Sequence, residues 1–275
     1  MNYPDSVLLG VVEGLTEFLP VSSTGHLTIA EKILGLKIDD AGVTAYTAVI
    51  QMGAIVAVIL YFRHDIVSIV RGWFRGLAHA EHRRDLDYRM GWYAIVGTIP
   101  VGIVGLVFKN TIDGPLRSLW WVGGALVVWS VVLLIAEVAA SQRRSEEQLN
   151  LRDAVVVGIV QCAALVPGVS RSGATISAGL LRGIDRVAAT RLSFFLSIPA
   201  LLAAGLFELK DISGSGISAG QTLVGTVIAF VVAYATIAWL LRFVSHHSIA
   251  WFVPYRMIVG FLVLGFLITG AAMPS

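Results

Sequence analysis

The sequence predicts an all-α integral membrane protein built as an inverted-topology repeat, with six transmembrane helices and two re-entrant helical hairpins. Three observations predict it. The 275 residues are 56% apolar and only 14% charged, with a mean hydropathy of +0.80, whereas about a quarter of a soluble domain is charged. Six stretches reach the roughly 20 apolar residues that a helix needs to cross a bilayer. Two shorter apolar stretches break at prolines and resemble each other.

The six long stretches lie near 43–62, 90–108, 118–138, 192–208, 219–242 and 250–272. The two short ones, 6–19 and 154–166, run into Pro20 and Pro167, where the missing amide and the ring interrupt helical hydrogen bonding. Each is followed by small and hydroxyl-bearing residues and a second short helical pattern. Irregular backbone at membrane depth is tolerated only against protein or a polar cavity, so each reads as a re-entrant hairpin.

A shift of 148 lays "GVVEGLTEFLPVSSTGH" (10–26) over "GIVQCAALVPGVSRSGA", matching Gly10 with Gly158, Val12 with Val160, Ser22 with Ser170 and Gly25 with Gly173. Each half then holds one hairpin and three spans. Three is odd, so the second half is expected upside down, with a site at the midplane between the broken helices. The expected divisions are 1–138 for the first repeat, 139–153 for a cytoplasmic linker and 154–275 for the second repeat.

Charge patterning orients this layout, because short cytoplasmic loops are rich in Lys and Arg. Arg63, Arg71, Arg75, Arg83, Arg84 and Arg89 follow the first full span and are placed inside; alternation adds Arg143, Arg144, Arg152, Arg182, Arg186, Arg191 and Arg242. Lys32, Lys37, Lys109, Arg117 and Lys210 fall outside. Both termini are then outside. The net charge of +2 and the lack of any recognition motif argue against a nucleic-acid partner. Cys162 is alone, so neither an internal disulfide nor a thiol metal cluster is expected, and "MNYPDSV" lacks the basic start of a cleavable signal.

Chemistry concentrates at the two breaks. Glu13 and Glu17, four apart, share one helix face, and two carboxylates in a low dielectric demand a compensating cation. They are a metal site, an acid/base pair or a pair snorkelling at the membrane edge. In "PGVSRSGAT" (167–175) Arg171 stands between Ser170 and Ser172, with Gly168 and Gly173 loosening the backbone and Thr175 one turn on. A planar guanidinium, hydroxyls and the amides of a helix N-terminus suit a phosphate; the alternative is an Arg171 that only pairs with Glu13 or Glu17. His26 is either a histidine satisfied by a backbone carbonyl or a proton acceptor for Ser22 or Ser23. Gln51 is a polar contact to the site or an interhelical hydrogen bond. Arg256 reads as a buried ion-pair member or a snorkelling residue rather than a ligand. Ser23 is favoured over Ser22 as nucleophile because Ser22 aligns with Ser170, whereas Ser23 aligns with Arg171.

At these residues the chain resembles the bacitracin-resistance type of undecaprenyl-diphosphate phosphatase. The family's Glu-x-x-x-Glu leading into Pro-Val-Ser-Ser-Thr-Gly-His stands here as Glu13, Glu17 and Pro20 to His26, and its Pro-Gly-x-Ser-Arg-Ser-x-x-Thr as Pro167 to Thr175. The resemblance covers essentially the whole chain. It implies a bacterial inner-membrane enzyme that removes the terminal phosphate of undecaprenyl diphosphate, recycling the lipid carrier for peptidoglycan synthesis, with its site opening to the periplasmic side. It also implies bacitracin resistance, since the antibiotic takes the same lipid. The expected catalytic residues are Ser23, His26, Glu17 and Arg171. Ser22, Thr24, Gly168, Ser170, Ser172, Thr175 and Gln51 are expected to bind substrate. Glu13 and Glu17 are expected to hold Mg²⁺ or Ca²⁺, and a homodimer is among the admissible partners. Membrane phosphatases of the type 2 phosphatidic acid phosphatase class share Ser-Gly-His and Ser-Arg elements, but their Lys-x₆-Arg-Pro element is missing here. The rival from another class is a lipid-phosphate flippase or secondary transporter, for which broken midplane helices are a common design.

Overall fold

The computed structural model describes residues 1–37, 40–208 and 217–270. The chain forms α1 (Tyr3–Thr16), α2 (Ser23–Ile33), α3 (Ala41–Tyr61), α4 (Arg63–Ala78), α5 (Leu86–Val107), α6 (Lys109–Asp113), α7 (Leu119–Ala139), α8 (Leu151–Gln161), α9 (Arg171–Leu181), α10 (Arg186–Glu208), α11 (Ala219–Val244) and α12 (Val253–Ile268), with short 3₁₀ turns between some of them. Among the described residues the only β pairing is an isolated bridge between Arg144 and Ile184. Among the described residues six segments are long and apolar enough to cross a membrane: Gly42–Tyr61, Leu86–Val107, Leu119–Ala139, Arg186–Leu206, Ala219–Val244 and Ile249–Ile268. They fall on the six expected stretches. The largest shift is at the fourth, which begins at Arg186 rather than near 192. Asp185 caps this helix by accepting from the Ala188 amide, and the Arg186 and Arg191 side chains reach back to Glu137, Asp65 and Glu146, so a charged first turn is tolerated.

The arginine-rich segment after the first span holds a helix that hydropathy does not reveal. In α4 the exposed Val67, Val70, Phe74 and Leu77 alternate with arginines, and the opposite face lies on α5, where Gly76 meets Tyr88 and Trp73 meets Gly91. Such a helix suits the plane of the headgroups rather than a span. Lys210, counted with the outer charges, lies outside the described residues.

Helix α11 forms the packing axis, with α1 on one side and α3 on the other. Small residues allow the approach: a Cβ at Gly14 would stand 2.7 Å from the Ala229 carbonyl, and one at Gly10 would stand 2.6 Å from that of Gly225. This is how helices pack where lipid supplies no hydrophobic drive between them. A second layer centres on Phe18, Phe62 and Phe194, with the Phe18 and Phe194 rings edge to face at 5.2 Å. It fixes the C-terminal end of α1 against α3 and α10.

Both short apolar stretches break where their prolines fall. Helix α1 ends at Thr16 and α2 begins at Ser23; α8 ends at Gln161, passes through a 3₁₀ turn at Cys162–Leu165, and α9 begins at Arg171. The new helices start alike. Ser22 and Ser170 are N-caps, each at φ +79°, accepting from the amides of Gly25 and Gly173 respectively. A non-glycine residue at positive φ costs of the order of 1–3 kcal/mol, and here the cost is offset by contacts across the two breaks.

Candidate active site

The two breaks meet and hold each other through backbone groups. The Gly168 amide donates to Ser22 Oγ at 3.0 Å, while Ser172 Oγ donates to the Leu19 carbonyl at 2.8 Å and Ser170 Oγ lies 3.4 Å from the same carbonyl. Gly168 sits at φ +101° against the Val122 carbonyl, a conformation and a space that exclude a side chain. Arg256, fully buried on α12, closes the junction from below. Its guanidinium donates to the carbonyls of Pro20, Gly168 and Val169 and to Ser130 Oγ. Arg256 is therefore neither an ion-pair member nor a snorkelling residue, as its sequence position suggested. It is a cation satisfied by carbonyls from both breaks, which helical interruption frees and only tertiary contact brings together.

Above this junction Glu17 is the hub. It caps the C-terminal end of α1, is 5% exposed, and accepts from three elements. Arg171 Nη2 donates to Oε1 at 2.7 Å, Ser23 Oγ donates to Oε2 at 2.5 Å, and Gln51 Nε2 donates to Oε2 at 3.2 Å. Gln51 is thus both an interhelical hydrogen bond and a wall of the site. Glu17, Ser22, Ser23, Thr24, Gln51, Ser170 and Arg171 line one cavity of about 170 Å³. Arg171 spends one end of its fork on Glu17; Nη1 is buried and, among the described residues, unpaired.

Other expected residues stand behind the cavity wall. Gly168 and Ser172 are occupied in the junction. Thr175 Oγ1 donates to the Arg171 carbonyl at 2.8 Å and stands 2.6 Å from Ser193 Oγ, so it supports the turn that carries Arg171. His26 lies outside the cavity. Its Nδ1 bonds the Ser22 carbonyl at 2.7 Å, and since a carbonyl only accepts, Nδ1 carries the proton. Nε2 of the neutral ring then accepts from the Tyr255 hydroxyl at 2.8 Å, with the two rings stacked. The proton of Ser23 goes to Glu17 and not to His26. Tyr255 carried no signal in the sequence: it is an aromatic residue at the start of an apolar helix.

Glu13, one turn before Glu17, is fully buried, and among the described residues neither carboxyl oxygen has a hydrogen-bond partner. An orphaned carboxyl beside Glu17 is an oxygen donor set of the kind a hard cation takes. Among the described residues no group of three acidic, histidine or cysteine side chains assembles, so such a cation would complete its shell with phosphate or water oxygens.

A second cleft, about 420 Å³, adjoins the first. It lies between α5 and α10, lined by Gly102, Gly105, Leu106, Ala200 and Ala203 among others, and shares Val101, Leu165, Ala200 and Ala204 with the polar cavity. No side chain comes within 4 Å of a Cβ at Gly102. The polar cavity therefore continues into an apolar trough on the flank of two spans.

The fold and this site define a multi-pass helical membrane protein with an enclosed carboxylate, hydroxyl and guanidinium cluster open to an apolar groove. A family model described as bacitracin resistance protein BacA matches residues 6–262, and the chain belongs to that family. Among similar curated proteins is one named undecaprenyl-diphosphatase from Acidothermus cellulolyticus, 60% identical over 271 residues and covering 98% of each chain. One from Frankia casuarinae, named undecaprenyl-diphosphatase 3, is 55% identical, and one from Mycolicibacterium smegmatis, named undecaprenyl-diphosphatase, is 52% identical; both alignments cover 98% of each chain.

Proposed function

We propose that this protein is an integral membrane undecaprenyl-diphosphatase. It hydrolyses undecaprenyl diphosphate to undecaprenyl phosphate and inorganic phosphate, returning the lipid carrier to peptidoglycan synthesis and conferring resistance to bacitracin, which competes for the same lipid. The observation that carries the reading is the Glu17 carboxylate accepting from both the Ser23 hydroxyl and the Arg171 guanidinium in a cavity that opens onto an apolar groove. A diphosphate head needs the first, and an isoprenoid tail needs the second.

In this mechanism Ser23 Oγ attacks the terminal phosphorus while its proton passes to Glu17, and the bond to the bridging oxygen breaks to release undecaprenyl phosphate. The departing undecaprenyl phosphate takes that proton from Glu17. Water then attacks the phosphoserine with the freed Glu17 carboxylate as general base, and the proton it accepts passes to Ser23 Oγ as the bond to phosphorus breaks, releasing inorganic phosphate and restoring Ser23. Arg171 Nη1 donates to the equatorial oxygens, where charge spreads in the transition state. Ser170, Ser22 and Thr24 supply further donors around the head. Tyr255 and the Ser22 carbonyl hold the His26 ring fixed beneath the turn that presents Ser23.

Two carboxyl groups, Glu13 and Glu17, stand against the single Arg171, and the diphosphate brings further negative charge. Glu13, with Glu17 beside it, would hold Mg²⁺ or Ca²⁺, which supplies neutralisation of phosphate charge when bound. The two breaks form re-entrant hairpins of an inverted repeat in the cytoplasmic membrane, with the cavity and both termini toward the outer face; a homodimer is compatible with the apolar flanks left exposed. The deciding experiment is phosphate release from undecaprenyl diphosphate by the purified protein in detergent, where no gradient exists. Release that stops on chelation and returns with Mg²⁺ or Ca²⁺ is expected. Binding without release would favour a lipid-phosphate flippase.

A further inference from the structure

Gln161 ends α8 inside the cavity wall. Its side chain is fully buried, it lines the cavity together with Glu17, Ser23 and Arg171, and among the described residues neither Oε1 nor Nε2 has a hydrogen-bond partner. Leaving a buried amide unpaired costs about 1–3 kcal/mol per group, so a side chain kept in this state calls for a partner that the protein does not supply. The position is set by close packing of α8 on α5, where Gly158 lies against Gly97 and no side chain fits between. The amide therefore cannot swing to solvent without moving a helix.

The repeat shows why an amide suits this place. The same shift of 148 that matches Gly10 with Gly158 carries Glu13 onto Gln161. The second hairpin thus presents a neutral amide where the first presents a carboxylate. A second acid lining this cavity beside Glu17 would repel a diphosphate, whereas an amide of the same length brings a donor and adds no charge. After Gln161 the chain runs through Ala164 and Leu165, which also line the cavity, and Leu165 passes into the apolar groove. Gln161 thus stands on the side from which the lipid tail leaves, and Arg171 serves the terminal phosphate.

We infer that Gln161 is a substrate-binding residue whose Nε2 donates to the inner phosphate, the one that remains on the lipid after cleavage. The inference rests on the diphosphatase reading of the same cavity.

The test is Gln161→Met in the full-length protein in detergent, read against Gln161→Glu. Methionine keeps the volume and removes both unpaired atoms, so the Tm in detergent should be unchanged or higher. KM for undecaprenyl diphosphate should rise roughly tenfold, one hydrogen bond to a charged acceptor, with kcat within about twofold. Product inhibition by undecaprenyl phosphate should weaken by a similar factor, while inhibition by inorganic phosphate stays at the wild-type level. Gln161→Glu keeps the shape, loses the donor and adds a like charge, and should raise KM further; it reads the same split if the methionine variant does not fold. Wild-type KM in both variants would overturn the proposal, and so would equal weakening by both products, which would move Gln161 to the terminal phosphate. A wild-type protein that releases no phosphate would instead sink the diphosphatase reading itself.

Discussion

Ser23 and Glu17 are six residues apart, and the turn through Pro20 folds them to 2.5 Å. Serine has a high intrinsic pKa and attacks only when a neighbour takes its proton, so the contact decides which group that is. Ser23→Ala is expected to lose at least about 10²-fold in kcat while still binding the diphosphate lipid, because the Arg171 and Gln51 contacts to Glu17 do not involve Ser23. Single-turnover labelling from solvent oxygen checks the route. Retained activity in Ser23→Ala would mean that water attacks phosphorus directly, with Glu17 as its base. His26→Gln should be milder on this geometry, since Ser23 does not depend on the imidazole.

At the scale of elements, two features lend themselves to measurement. The first is the trough between α5 and α10, which is open because Gly102 and Gly105 have no side chains; only Leu165, at 3.8 Å, approaches a Cβ at Gly105. Gly105→Phe fills that space. Its KM for undecaprenyl diphosphate should rise about tenfold or more, the loss of burial of a few methylenes, while a five-carbon isoprenoid diphosphate, too short to reach the trough, keeps its wild-type KM. Equal losses on both substrates would place the tail elsewhere. The second is the charged clamp that ties Arg144 and the start of α8 to the end of α9. Asp153, buried at the start of α8, accepts from Arg144 at 2.5 and 3.0 Å and from Arg182 at 2.9 Å. Burial alone would raise its pKa, but these hydrogen bonds outweigh burial and hold the carboxyl below the ordinary range. A depressed folded pKa means stability that is complete above the unfolded value near ~3.9 and is lost only as pH falls through the folded one. Asp153→Asn should therefore cost about 2 kcal/mol at neutral pH, less than a fully enclosed pair because both arginines are partly exposed. The Tm gap to wild type should hold from pH 9 to 5 and close only below about pH 4.

For the molecule as a whole, the distribution of arginines makes a prediction about sidedness. Arg144, Arg182, Arg186 and Arg191 are gathered with Asp65, Glu137, Glu146 and Asp153 at one end of the bundle. The amphipathic α4 joins this end, with Asp65 in its first turn. This is the end expected in the cytoplasm. In a Cys162→Ser background, a cysteine at Asn2→Cys should react with an impermeant maleimide from outside right-side-out vesicles, and one at Glu147→Cys only after permeabilisation. The reverse pattern would turn the protein over and open the cavity to the cytoplasm.

The six spans, the two breaks and the acid, hydroxyl and arginine content of the site were determined by the sequence alone, because hydropathy, proline and residue chemistry are local properties. Gln161 was not singled out by the sequence, because nothing local distinguishes a buried glutamine from a surface one. Helix α4 escaped because an amphipathic helix has an unremarkable mean hydropathy. What tertiary structure decided is which groups meet. Arg256 meets no acid among the described residues and is held by the carbonyls that both breaks had freed; His26 was taken by Tyr255, 229 residues away in sequence; Ser23 went to Glu17. Hydrogen bonds act over about 3 Å, and which atoms come that close is set by the packing of two distant breaks around α12 and α7, information that no single stretch of the chain contains.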